Sequence, residues 1–370
     1  MRPDSEREIE EIRGFFLEHG LLPPIPERYA DDEEEAERVR QRVLARGRTT
    51  SQTTSHRRKA ARSGSRRRRM MLATVAAVLI VLGGGAQAIV RSAPASAAEA
   101  PAMLRYSVAS PESIDSAPPA AATLKTAARA TFTGPPPVGV GEVQYVAKYG
   151  WSPNVRVEAD RSLSVAIYPT RTQWWLMRDG AVRVDETRGN PLGLDGHLTA
   201  DAKDAPSPVT SETNPAGTID PDLAGRLSTN PAALRAELLD TQAGLPCDQD
   251  ARWQAECLVR AVQMVYDEYV VTPKLASAMW SVLAGESALR SLGATVDRLG
   301  RPARTVALPP EPGQPSEQVI VLLISESTGA YLGTEIVTLH DAALGISKPT
   351  VTAFSELSAA RWVKASGNTS

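Results

Sequence analysis

Residues 163–185 read LSVAIYPTRTQWWLMRDGAVRVD, and their patterning decides the fold class. Leu163, Val165 and Ile167 alternate with Ser164, Ala166 and Tyr168, the two-residue period of a half-buried strand. Trp174, Trp175, Leu176 and Met177 lead into Arg178-Asp179-Gly180, and Val182 and Val184 follow with Arg183 and Asp185 between them. Asp-Gly between two such runs predicts a hairpin, because its turn positions favour positive φ. Tandem tryptophans on a strand point to opposite faces. One of Trp174 and Trp175 is therefore expected in the core, and the other as a candidate ligand contact on a concave face or edge.

The same signals continue on either side. Residues 142–149 form an earlier strand candidate, with Val143, Tyr145 and Ala147 on one face. Further on, 291–297 and 304–308 flank a turn at 298–302. Residues 319–324, VIVLLI, form an unbroken apolar run suited to a central strand. Residues 331–339 pair with it across Ser327-Thr328-Gly329, and 350–363, with Phe354 and Trp362, make a closing strand. Helical spacing marks 121–131, through Leu124 and Ala128, and a second helix capped by Asn230, with Pro231 first and Leu234, Leu238 and Leu239 as its stripe. Leu258, Ala261, Val262, Val265 and Tyr269 carry a third, and Pro273, Leu275, Met279, Val282 and Leu283 a fourth. Helix, strands, helices, strands is the order of an α+β domain, a curved and largely antiparallel sheet covering a few helices. Residues 188–223, dense in Gly, Pro, Asp, Ser and Thr, read as a long loop that is either functional or disordered.

Upstream, one apolar run stands out: residues 70–90, MMLATVAAVLIVLGGGAQAIV, are 21 residues without a charge. As a helix they extend roughly 31 Å, about one hydrocarbon core. Arg66, Arg67, Arg68 and Arg69 stand directly before it, with no acid between Gly47 and Met70. That asymmetry predicts a single-pass span with the N-terminus in the cytoplasm and the C-terminal part outside. The Ala95-Ser96-Ala97 triplet resembles a cleavage site, but the charged leader before the run is far longer than a signal peptide's. The arginine block beside a span serves orientation and anionic lipid, so direct nucleic-acid binding is not expected.

Before the span, 1–46 carries two short helical stripes, Ile9, Ile12 and Phe16 in one and Val39, Val43 and Leu44 in the other. Such short helices bury little by themselves. They read either as a docking module that folds on a cytoplasmic partner or as a solvated tail. Residues 47–69 form a basic linker and 91–119 an Ala/Ser/Pro stalk, with the outer domain expected over 120–370.

Composition excludes several classes of chemistry. A chain of 370 residues that is 42% hydrophobic has ample material for a core, and its formal charge of −2 averages over unlike segments. Two cysteines exclude a disulfide-dense mini-fold and a four-cysteine zinc site. The four histidines (His19, His56, His197 and His340) are scattered, so no metal site and no cofactor is expected. Cys247 and Cys257 lack the CxxC spacing of a redox or metal pair. In an oxidising compartment they are expected to form a structural disulfide. There is no HExxH and no GxSxG, and Asp267 and Glu268 are adjacent on a helix and diverge. Glu335 alternates with apolar residues and points inward, where a carboxylate is more often hydrogen-bonded structure than a general base. No enzymatic activity is expected.

Several stretches carry a likeness: EIRGFFLEHG with PPIPER and ERVRQRVLA, the arginine block and span, WWLMRDGAVR, LSTNPAALRAELL, LGATVDRLGRPARTVAL and VIVLLISESTGAYLGTEIVTL. With them the chain resembles a family of actinobacterial single-pass membrane proteins often encoded beside extracytoplasmic-function sigma factors. The outer domain of that family is similar to the half-barrel of periplasmic lipoprotein carriers and sigma-pathway sensors. The resemblance implies an envelope sensor whose arm, through Ile9, Ile12, Phe16, Val39 and Val43, docks a sigma factor. The alternative it allows is an envelope module that binds a lipid or a lipoprotein acyl chain and has no regulatory role. Cys247, Cys257 and the 188–223 loop depart from the family pattern.

Overall fold

The computed structural model describes residues 101–157, 163–194, 197–198, 209–311 and 313–369. Ile9, Ile12, Phe16, Val39 and Val43, the arginines at 66–69 and the apolar run at 70–90 lie outside the described residues. Among the described residues no helix is long and apolar enough to cross a membrane.

Among the described residues nine antiparallel strands form one sheet: β1 (Val143–Val157), β2 (Leu163–Leu176), β3 (Val182–Arg188), β4 (Val209–Asn214), β5 (Arg290–Val296), β6 (Pro302–Leu308), β7 (Ser316–Ser325), β8 (Tyr331–Asp341) and β9 (Thr350–Val363). Their order is β4-β3-β2-β1-β9-β8-β7-β6-β5. The sheet is open, with β4 and β5 at its edges. Each half is a meander of sequential hairpins, and β9 joins them by pairing with β1 on one side and β8 on the other. The strand expected to close the sheet is thus its central seam.

The helices are α1 (Ala121–Phe132), α2 (Leu223–Arg226), α3 (Pro231–Thr241), α4 (Ala251–Glu268) and α5 (Pro273–Leu283). Local chemistry starts them where the sequence indicates. The Asn230 side chain accepts from the amides of Ala232 and Ala233 ahead of α3, and Asp250 accepts from Trp253 N at 2.8 Å ahead of α4. Thr272 caps α5, and Pro273 fills its first turn.

The apolar helix stripes pack on one face of the sheet. Leu258, Val262 and Val265 of α4 and Met279, Trp280 and Leu283 of α5 meet Val306, Leu308, Leu322, Ile324 and Tyr331 from the strands. On β7, Val319, Val321 and Leu323 turn to the opposite face. The unbroken run at 319–324 is apolar because both its faces are covered. Gly329, at φ +67°, lets the β7–β8 turn press on α1, where a β-carbon would lie 2.3 Å from the Ala127 carbonyl oxygen. Trp280 Nε1 donates to the Gly329 carbonyl at 2.8 Å and fixes the same corner.

The opposite face is covered by segments of irregular chain, and here the expected stalk is corrected. Residues 101–119 belong to the domain. Ser107 N and Val108 N donate to Ala294 O and Leu292 O of edge strand β5, each at 3.0 Å, and a 3-10 turn at Pro111–Ser116 follows. Ile114 and Ala117 are buried against Leu292, Ala307, Val319 and Val321. Backbone pairing and a few apolar anchors hold this strap to the sheet. The 188–223 segment is likewise not one long loop among its described residues. Leu192 packs beside Trp151, Ile167 and Phe354, and β4 adds an edge strand to β3.

Candidate functional site

Buried charge is concentrated on the strap-covered face, around the β5–β6 turn. Glu335 on β8 and Phe354 on β9 are register partners, as are Glu356 on β9 and Tyr149 on β1, so period two puts all four side chains on this face. Glu335 and Glu356 have no exposed surface. The turn Asp297-Arg298-Leu299-Gly300-Arg301 folds over them. Arg298 donates through Nε and Nη2 to Glu335 Oε2 at 3.1 and 2.5 Å, and its backbone amide donates to Glu356 Oε1 at 2.6 Å. Its guanidinium also stands 4.6 Å from the centre of the Phe354 ring.

Arg301 completes the brace. It donates to Asp297 Oδ2 at 2.5 Å, to Leu357 O on β9 at 2.8 Å and to Leu332 O on β8 at 3.2 Å. Asp297 closes the turn by accepting from the amides of Leu299 and Arg301. The strap enters from above: Tyr106 donates its hydroxyl to Glu335 Oε1 at 3.4 Å, across 229 positions of sequence. One turn, two strands and the strap are tied together by three acids and two arginines.

These acids are not alike electrostatically. Burial raises the Glu335 carboxyl above the ordinary carboxylate range, although Arg298 and Tyr106 pull it down. Burial pushes Glu356 up to about 7, against its bond from the Arg298 amide, and the neighbouring Asp297 adds to the rise. Glu356 Oε2 is buried without a partner. A fully enclosed carboxyl can exchange a proton, but it meets a substrate only if the turn or strap moves.

A second polar group lies between α4 and the sheet. Lys148 on β1 pairs with Asp267 at 3.2 Å, and Gln263 donates to Thr334 Oγ1 at 2.8 Å. Glu268 is pushed up to about 7 by burial and by Asp267, with Lys148 opposing. Farther along α4, burial raises Glu256, but Arg260 and Arg252, one turn away on either side, outweigh it and hold the carboxyl below its usual range.

The residues singled out in the sequence fall in separate places. Trp174 and Trp175 do face opposite ways: Trp174 lies on the helix side with Leu176, Val182 and Tyr269, and Trp175 with Tyr145 and Val363. Trp175 is capped rather than open, since its Nε1 donates to Asn368 O at 2.7 Å and Arg183 stands 5.2 Å over its ring. It is therefore a core residue. Cys247 and Cys257 are bonded, tying the α3–α4 connection to the buried side of α4. Glu335 points inward as expected, with Arg298, Glu356 and Tyr106 as unforeseen companions. Their signal lay in Glu356, which shares a strand face with apolar Phe354 just as Glu335 shares one with Val337. Among the described residues no three His, Cys, Asp or Glu side chains are arranged so that they could hold a metal ion.

The chain matches no protein-family model, no curated protein and no solved structure.

Proposed function

We propose that the chain is a single-pass envelope protein with its α+β domain outside the membrane as a sensor and its arm at 1–46 inside, docking a sigma factor. The observation that carries this reading is the Cys247–Cys257 disulfide, in a domain that follows an arginine block and a 21-residue apolar run. A cystine suits an oxidising compartment, and the charge asymmetry orients the chain so that this domain reaches one. We read the sheet as half-barrel-like. Register irregularities in four of its strand pairs support that, because such bulges bend strands. The helices fill one face with their own side chains, so a stored acyl chain is the less favoured use of the domain.

The test is co-purification. Full-length protein and an Ile12→Asp, Phe16→Asp double variant are extracted in mild detergent from cells expressing extracytoplasmic-function sigma factors. Recovery of a sigma factor with the wild type and its loss with the double variant is the expected result. A sigma factor on neither sample removes the docking role from the arm and turns attention to lipid extracted with the outer domain.

A further inference from the structure

The brace around Glu356 has a surplus of acid. Asp297, Glu335 and Glu356 face two guanidiniums, those of Arg298 and Arg301. Asp297 and Glu335 are hydrogen-bonded through both carboxyl oxygens. The imbalance therefore settles on Glu356, whose Oε1 takes only the Arg298 amide and whose Oε2 has no partner. A buried anion half without partners costs far more than a buried neutral acid, so the geometry favours a proton here.

All the elements packed against Glu356 bear on that proton. From the β5–β6 turn come Asp297, Arg298 and Arg301, and from β1 the Tyr149 hydroxyl. On β8, Glu335 shares Arg298 with it, and from the strap Tyr106 reaches Glu335. Arg298 is thus the link between Glu356 and the strap. Its guanidinium holds Glu335, and Glu335 in turn receives Tyr106.

We propose that the proton on Glu356 governs how firmly the strap at 104–108 is held to the sheet. Neutral Glu356 leaves the Arg298 guanidinium to Glu335, which anchors Tyr106. Ionised Glu356 competes for that guanidinium, weakens the hold of Glu335 and loosens the pairing of Ser107 and Val108 with β5. The strap is the first described segment after the apolar run, so a change in the pH around the domain would alter the stretch of chain that follows that run in sequence. This inference does not depend on the sigma-factor reading and is a property of the outer domain alone.

Hydrogen exchange read by mass spectrometry on the full-length protein in detergent tests it, with rates corrected for intrinsic pH dependence. Between pH 6 and pH 8, protection at Ser107 and Val108 is expected to fall roughly tenfold, while protection in α5 changes much less. Glu356→Gln, which mimics the neutral acid, is expected to keep that protection high at both values. Equal corrected protection of wild-type 104–108 at pH 6 and pH 8 overturns the proposal without reference to any variant. A Glu356→Gln protein with the full wild-type pH dependence overturns it as well.

Discussion

The two faces of the sheet are covered by opposite means. On one face α4 and α5 bury leucine, valine, methionine and tryptophan against the strands, with Leu258, Val262, Met279, Trp280 and Leu283 fully enclosed. On the other, smaller apolar clusters around Ile114, Trp151 and Trp175 are joined by a network of Glu335, Glu356, Asp297, Arg298 and Arg301 that ties the strap and a five-residue turn to the sheet. Apolar burial is non-directional and insensitive to pH, so it tolerates imperfect matching. A buried ion network stabilises only when each member is matched, and it fails sharply when one is removed. The helix face, with the largest apolar cluster, is therefore the larger source of stability, and the strap face the one whose hold depends most on matched charge.

The largest blow to the helix face is Trp280→Ala. It removes a fully buried ring and the bond to Gly329, and should cost about 3–5 kcal/mol in chemical denaturation. A loss below about 1 kcal/mol would place the main core elsewhere. On the strap face, Arg298→Met strands Glu335 without its cation and should cost about 3 kcal/mol. Adding Glu335→Gln to that variant should recover part of the loss, and no recovery would break the claim that charge pairing, and not the Phe354 contact, is what Arg298 supplies.

Reduction of the Cys247–Cys257 bond opens a loop of sequence separation 10 and should lower stability by about 2–3 kcal/mol. The loss should show as increased exchange in the α3–α4 region, leaving the strap unaffected. The smallest effect concerns Glu268 on the helix side, which is pushed up to about 7. A carboxyl raised on folding adds stability that is fully present below its ordinary value and is lost as pH rises through about 7. Glu268→Gln should flatten the fall between pH 6 and pH 8 by about 1 kcal/mol, allowing for residual solvent at this site. An unchanged slope would assign all the neutral-pH sensitivity to the strap face.

Much of the helix face was legible in sequence because its signals are local. Period 3.6 in 258–269, the Asn230 cap and the Asp179-Gly180 turn each act over a few residues. The seam between β1 and β9 was not, since pairing between distant strands leaves no trace in periodicity. The strap was misread for a different reason. Its composition is Ala, Ser and Pro, and it holds through backbone pairing and single anchors such as Ile114 and Tyr106. Gly293, at φ +91°, leaves room for Ser107 and Val108 to lie on β5, and nothing near residue 107 announces that distant gap. In the candidate site, the inward direction of Glu335 could be read from alternation. The arginines that meet it could not, because a turn written RLGR has the same form whether it faces solvent or two buried acids.

The seam has a consequence for the order in which the protein is made. Synthesis delivers β1 about 200 residues before β9, the strand that covers its second edge. Until then β1 through β4 form a four-stranded ribbon with an open hydrogen-bonding row, the kind of surface that recruits neighbouring chains. β9 is the strand that ends this exposure. A nascent chain is thus vulnerable until Thr350–Val363 has emerged, and a stop codon just ahead of Thr350 should yield aggregate rather than a shorter folded domain.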